Sequence, residues 1–347
     1  MAGTGRRGGG RPGGRPTLEE VAARAGVGRG TVSRVINGSP RVSARTRAAV
    51  EEAVAELGYT PNRAARALAG NRADAIALVI PEPETRVFAE PYFSDVIRGV
   101  GAELADTDLQ LLLILIRTPK ERQRLAQYLS GHRVDGVLLV SVHADDPLPD
   151  LLEQIGMPAV LGGRRTAGEP VAYVDSDNTG GARTAVEHLL ARGRRRIATI
   201  TGPLDMHAAR CRLDGYRAAL AAAGVPEDDA LVVTADFTED GGRRAMRELL
   251  DRVPGPDAVF AASDVMAAGA RQVLREAGLR VPDDIALVGF DDSPIARHMD
   301  PPLTSVRQPI EEMGRAMARV LRDEITERGP ERPQVVLPTE LVVRESS

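Results

Sequence analysis

Leu18, Val21, Ala22 and Ala25 recur at the three- and four-residue spacing of a helix, with charged residues between them. Thr17 followed by Glu20 forms a capping box that starts this helix at Leu18. Gly26 lets the chain turn, Val27 plugs the joint, and Val32, Val35 and Ile36 supply the inner face of a second short helix. Asn37-Gly38 stops it, leaving Arg29, Thr31, Ser33 and Arg34 facing outward. Ser43 caps a third helix that buries Val50, Ala53, Val54 and Leu57. Pro61 and Asn62 then open a piece that ends at Gly70 and is too short to be stable alone, with Leu68 exposed on it.

Beyond Ala75 the pattern changes. Short apolar runs at 75–80, 109–116, 136–141, 158–161, 196–201, 230–233, 257–261 and 285–289 read as strands. Amphipathic stretches ending in glycine lie between them, such as 209–223 before Gly224 and 264–277 before Gly278. Alternating strands and helices predict parallel sheets covered on both faces, and about ten strands in all would exceed one comfortable sheet, which suggests two lobes.

Charge divides the chain in the same place. Residues 1–75 hold 13 arginines, no lysine and 6 acids, whereas the remainder holds 32 basic and 43 acidic residues. The net charge of −4 therefore hides a basic head on an acidic body, an asymmetry that points to phosphate binding at one end. The Gly/Arg-rich stretch 1–16 reads as a disordered tail. The single cysteine, Cys211, excludes an intramolecular disulfide framework and fits a reducing cytoplasm. No apolar run of signal-peptide or membrane-spanning type occurs, so no membrane partner is expected.

Two short helices around a glycine turn, the second presenting arginine and hydroxyl side chains, have the layout of a helix-turn-helix that enters the major groove of DNA. The motifs VAxxAGVxxxTVSRVIN, VSxxTRxxV and GYxPNxxARxL occur in order over residues 17–70. In these residues the chain resembles the headpiece and hinge of the lac-repressor/galactose-repressor (LacI/GalR) family. The resemblance implies that Arg29 and Gly30 sit where bases are read; with no side chain at Gly30, readout leans on Arg29, together with Arg34. It implies phosphate contacts from Thr17, Thr31, Ser33, Asn37, Arg41, Ser43, Thr46, Tyr59 and Asn62, which set register without reading sequence. It makes Leu68 a wedge in the minor groove, with Ala65 and Arg66 beside it, on a hinge helix that folds only on DNA. Gly28 stands where the family usually has Ser, which weakens the cap of the recognition helix.

In the body, Ser263-Asp264 and Asp291-Asp292 follow strands, and Arg212 lies on the helix after another. Ligands of open α/β sheets bind beyond the carboxyl ends of strands, and converging carboxylates and a guanidinium suit a polyhydroxylated ligand. Phe237 and Tyr92-Phe93 are candidates to close over an apolar sugar face, with lobe core as the competing reading for the last two. By resemblance, Arg212, Ser263, Asp264 and Asp291 fall at effector-binding positions and Phe237 at a stacking aromatic. Ser263 replaces an Asn of some sugar binders, and Gly163 an acid.

The expected fold class is an N-terminal all-α helix-turn-helix headpiece with hinge helix, then a C-terminal α/β core of two parallel-sheet lobes, which the resemblance makes periplasmic-binding-protein-like. The expected boundaries are 17–60 for the headpiece, 61–74 for hinge and linker, and 75–347 for effector binding and dimerisation. Within the last, lobe one covers about 75–175, lobe two about 176–305, and 306–347 crosses back to both. The expected function is a cytoplasmic, homodimeric transcriptional regulator, a repressor of carbohydrate genes, whose partners are palindromic double-stranded operator DNA and a sugar-like effector. The alternatives are a purine, nucleoside or protein co-repressor on the same architecture, or a non-regulatory solute-binding protein. Catalysis is not expected. His207 and Cys211 lie on adjacent turns of one helix, a poor geometry for a nucleophile and its base, and the five histidines lack zinc spacing. No phosphate-binding GxxxxGK[ST] loop occurs, and no cofactor or metal site is expected.

Overall fold

The computed structural model describes residues 16–36, 39, 41–59, 73–252, 255–326 and 332–347. Asn37, Asn62, Ala65, Arg66 and Leu68, with most of the expected tail and hinge, lie outside the described residues. The chain divides into two compact units between Ala73 and Asp74.

In the first unit, helices Leu18–Ala25, Arg29–Ile36 and Ala44–Leu57 enclose a small core of Val21, Ala22, Val32, Val35, Val50, Ala53 and Tyr59. Their ends follow local chemistry. The Thr17 amide donates to Glu20 Oε2 at 2.8 Å while Thr17 Oγ1 accepts from the Glu20 amide. Ser43 Oγ accepts from the Thr46 amide at 3.2 Å. Gly26 (φ 66°) and Gly58 (φ 61°) close two of the helices in the left-handed region that favours glycine. The middle helix begins after Gly28 with no side-chain cap; the Gly28 carbonyl accepts from the amides of Thr31 and Val32 instead.

The second unit carries two six-stranded sheets. Lobe one contains β1 (Ala75–Ile80), β2 (Gln110–Leu115), β3 (Gly136–Val140), β4 (Ala159–Gly162), β5 (Ala172–Ser176) and, from the far end of the chain, β11 (Gln334–Leu337). Its order is β11-β5-β4-β3-β1-β2, parallel throughout. Lobe two contains β6 (Ile197–Thr201), β7 (Val232–Thr234), β8 (Ala258–Ala261), β9 (Ala286–Asp291), β10 (Thr304–Arg307) and β12 (Glu340–Val342). Its order is β12-β10-β9-β8-β6-β7, with only β12 antiparallel. β1 and β3 are continuous apolar runs because they are buried along their whole length. Four strands did not stand out in the sequence: β5, β10, β11 and β12 are short and interrupted by polar residues.

The chain passes between the lobes three times, after β5, after β10 and after β11. The second passage delivers helix Ile310–Ile325 to lobe one, where Ile310, Met313, Met317 and Leu321 complete the core against β3, β4 and β5. That helix crosses helix Pro91–Leu104 at two glycines. A Cβ on Gly99 would stand 2.0 Å from the Glu311 carbonyl oxygen, and one on Gly314 would stand 2.5 Å from the Val96 carbonyl oxygen. Both obstacles are backbone and cannot turn aside. Gly99→Ala is therefore expected to destabilise the effector unit by about 1–3 kcal/mol, read as a lower midpoint in thermal unfolding.

Candidate functional site

Both sheets turn the carboxyl ends of their strands toward one cavity, with about 870 Å³ of empty space including its open mouth. Lobe one contributes Arg86, Glu90, Tyr92, Ser141, Arg164 and Asp175; lobe two and the segments crossing to it contribute Asn178, Met206, Arg212, Phe237, Ser263, Asp291 and Gln308. Three of these, Ser141 (φ 58°), Phe237 (φ 63°) and Asp291 (φ 110°), hold positive φ without being glycine, and such strain collects where a side chain must be aimed.

Arg212 stands on helix His207–Ala222 and is 6% exposed. Its Nε donates to Asn178 Oδ1 at 2.9 Å, one terminal nitrogen donates to the Ala262 carbonyl at 2.5 Å, and the same nitrogen lies 3.8 Å from Asp291 Oδ1. The guanidinium centre sits 3.8 Å from the centroid of the Phe290 ring. Burial pulls its pKa below the ordinary value, opposed by the charges of Asp291 and Asp175. Gln308 donates to Asp291 Oδ1 at 2.6 Å. Burial pushes the Asp291 carboxyl up to about 6, against the pull of Arg212 and Gln308.

The polar chain continues into lobe one. Asn178 donates to Asp175 Oδ1 at 3.0 Å, and Arg164 Nε donates to Asp175 Oδ2 at 3.0 Å. Further out, the lobes are tied at the mouth, where His143 Nδ1 lies 2.6 Å from Asp205 Oδ2 and the Ala144 amide donates to the Asp205 carbonyl at 3.0 Å. A hydrogen bond to Glu82 outweighs burial and, with Asp205, pushes the imidazole up to about 9, so it stays protonated at neutral pH.

The structure brings Arg212, Phe237, Ser263, Asp291 and Tyr92 to the cavity. Phe93 reaches its wall, but the ring is 1% exposed and belongs to the core of lobe one, edge-on to Tyr92. Asp264 corrects the expectation, because it does not line the cavity. Its fully buried carboxylate accepts from the Ser293 amide at 2.7 Å and from the Ser305 hydroxyl at 2.6 Å, pinning the ends of β9 and β10. Neighbouring Ser263 caps the helix that Asp264 begins and still faces the cavity. Sequence reasoning missed Arg86, Glu90, Arg164, Asp175, Asn178 and Gln308. Asp175 lies in β5, Asn178 just beyond it and Gln308 just beyond β10, the strands it did not read; Arg164 follows the end of β4, where Gly162-Gly163 was a usable signal.

His207 and Cys211 were expected to be poorly placed for each other, yet His207 Nε2 lies 3.2 Å from Cys211 Sγ. Burial pushes the thiol up and the imidazole down, which leaves a neutral pair instead of thiolate and imidazolium.

On the headpiece, Arg29 is the first residue of the second helix, with its side chain 73% exposed beside Glu19 at 3.0 Å. Arg34 is exposed and donates from Nε to the Gly30 carbonyl. Thr17, Gly30, Arg41 and Ser43 are exposed, Thr31, Ser33 and Thr46 are partly so, and the Tyr59 ring is packed into the head's core.

The pattern of "Bacterial regulatory proteins, lacI family" matches residues 17–62, and that of a "Periplasmic binding protein-like domain" matches 186–347. The HTH-type transcriptional regulator CelR of Thermobifida fusca is 56% identical over 96% of this chain and 98% of its own length. The ribose operon repressor of Escherichia coli (strain K12) is 37% identical over 90% of this chain and 93% of its own. Among solved structures, a CelR–cellobiose complex aligns with 55% identity and a TM-score of 0.77, covering 96% of this chain and 100% of that one. A lac repressor dimer bound to operator and the anti-inducer ONPF aligns with 28% identity and a TM-score of 0.83, covering 96% and 99%.

Proposed function

The chain belongs to the bacterial regulatory proteins of the lacI family, and on that premise we propose that its effector is cellobiose or a close β-glucoside. It is a sequence-specific DNA-binding transcriptional regulator whose operator affinity is controlled by a sugar-like effector. The same relatives support the reading that it represses carbohydrate genes, acting in the cytoplasm. One observation carries the choice of ligand. The cavity offers three arginines and three carboxylates, each arginine against a carboxylate, so it has many hydrogen-bonding groups and no surplus charge. A neutral polyol with an apolar face for Phe237 fits that balance, and an anionic or cationic metabolite does not.

Arg29 and its neighbours act on DNA as one half of a symmetric reader, with a second copy supplying the other half of a palindrome. The apolar edge strand β2, which leaves Leu113 42% exposed, is consistent with such a dimer. A mobility-shift titration on the palindromic operator, with and without cellobiose, tests the assignment. An operator affinity changed about tenfold or more by cellobiose supports it, and an affinity indifferent to saturating cellobiose overturns it.

Asp291 gives this reading a pH signature. Its carboxylate accepts two hydroxyls only when ionised, so effector affinity should be level above neutrality. It should fall as pH drops through 6, by up to about tenfold per pH unit. Calorimetric affinities across this range should show that limb in the wild type and a shallower one in Asp291→Asn, in which Glu90, pushed up to about 7 by burial, still titrates.

A further inference from the structure

Phe237 is approached by two guanidinium groups. Arg212, from lobe two, lies 5.8 Å from the ring centroid, and Arg86, from lobe one, lies 5.6 Å from it. Each carries an acid that faces the same cavity: Asp291 beside Arg212, and Glu90, whose Oε1 takes the Arg86 Nε at 2.6 Å. The second pair is as firmly built as the first. A terminal nitrogen of Arg86 donates to Glu82 Oε1 at 2.5 Å, and the Ser141 hydroxyl donates to that same oxygen at 2.6 Å. The side chains of Arg86 and Glu90 are 12% and 10% exposed, so both charges are held out of bulk water and aimed by their partners.

A guanidinium and a carboxylate side by side match vicinal hydroxyls, since one donates to oxygens and the other accepts from O–H groups. One such pair on an aromatic face accommodates one pyranose ring. Two pairs on opposite lobes, sharing one aromatic, accommodate two rings joined in line. We propose that Arg86 and Glu90 form a second sugar-ring subsite, in lobe one, that selects a disaccharide over a monosaccharide. This inference rests on the sugar-effector reading above. Burial pushes the Glu90 carboxyl up to about 7 against the pull of Arg86, which lets it accept from or donate to a ring hydroxyl near neutrality. Because Arg86 belongs to lobe one and Phe237 to lobe two, a ring seated there also bridges the lobes.

Calorimetry on the full-length protein reads the proposal as a ratio, with cellobiose titrated directly and glucose measured by displacement of cellobiose. Arg86→Lys keeps the charge and loses the planar fork, and Glu90→Gln keeps the shape and loses the carboxylate. Each is expected to lower the cellobiose-to-glucose affinity ratio about tenfold or more, through weaker cellobiose binding with glucose nearly unchanged. Arg212→Lys should weaken both sugars and leave the ratio within about twofold. A ratio that stays within about twofold of wild type in Arg86→Lys and Glu90→Gln overturns the subsite. Should Arg86→Lys fail to fold, the near-isosteric Glu90→Gln decides alone. Wild-type protein that binds neither sugar would sink the sugar-effector reading itself and this subsite with it, an outcome distinct from an unchanged ratio.

Discussion

Arg212→Ala is expected to abolish the response to effector while operator binding persists, with effector affinity falling by about 100-fold or more. The reasoning starts from burial. Arg212 spends Nε on Asn178 and one terminal nitrogen on the Ala262 carbonyl, and that same terminal nitrogen lies 3.8 Å from Asp291 at the cavity wall. Removing it strips the ligand of a charged donor and leaves Asp291 without the nearest positive group. Asp291 is already pushed upward by burial, so it takes up a proton near neutrality and ceases to be a full acceptor. Two binding groups are lost through one substitution. Operator binding should survive because the headpiece has its own capped helices and its own core. Calorimetry with cellobiose and a mobility shift on the same preparation check both halves. A variant whose operator affinity still answers normally to cellobiose would remove Arg212 from the site.

The headpiece was legible because its signals are local. Thr17 with Glu20, Gly26, Ser43 and Gly58 act over three or four residues, and each helix end depends on chemistry beside it. The long buried strands were legible for a related reason, since burial on both faces leaves an unbroken apolar run, as in β1. β5 and β10 were not, because their ends carry the polar groups that serve the cavity and the crossings. AYVDS and TSVR have too few apolar residues to declare themselves. Losing β5 hid Asp175 and Asn178, and losing β10 hid Gln308. Asp264 failed differently. Its place after a strand was read correctly, but the direction of its side chain depends on Ser293 and Ser305, 29 and 41 residues further on. No local pattern encodes that turn. Arg86 and Glu90 look, in sequence, like an ordinary i,i+4 surface pair, and only the packing of lobe one buries them.

Arg29→Ala should relax base preference without shallowing the salt dependence of binding. The expected loss is about 1–3 kcal/mol of discrimination at one base pair of each half-site, the worth of a bidentate contact to guanine O6 and N7. Arg29 opens the second helix, the part of a helix-turn-helix that reaches base edges first, and its side chain is largely in solvent. Its partner Glu19, on the first helix, holds the guanidinium at 3.0 Å. An exposed pair of this kind contributes about 0–1 kcal/mol, so the arginine can leave it for a base at little cost. Gly30 beside it has open space where a side chain would stand, which concentrates readout on Arg29. Arg41 and Thr46 should behave in the opposite way, weakening every sequence alike, because a phosphate contact carries no base information. Titrations of the operator and of a variant substituted at the read base, each at several salt concentrations, separate the two behaviours. If Arg29→Ala keeps the preference and its salt slope drops by about 0.9 for each half-site, the residue neutralises a phosphate and the base assignment is lost.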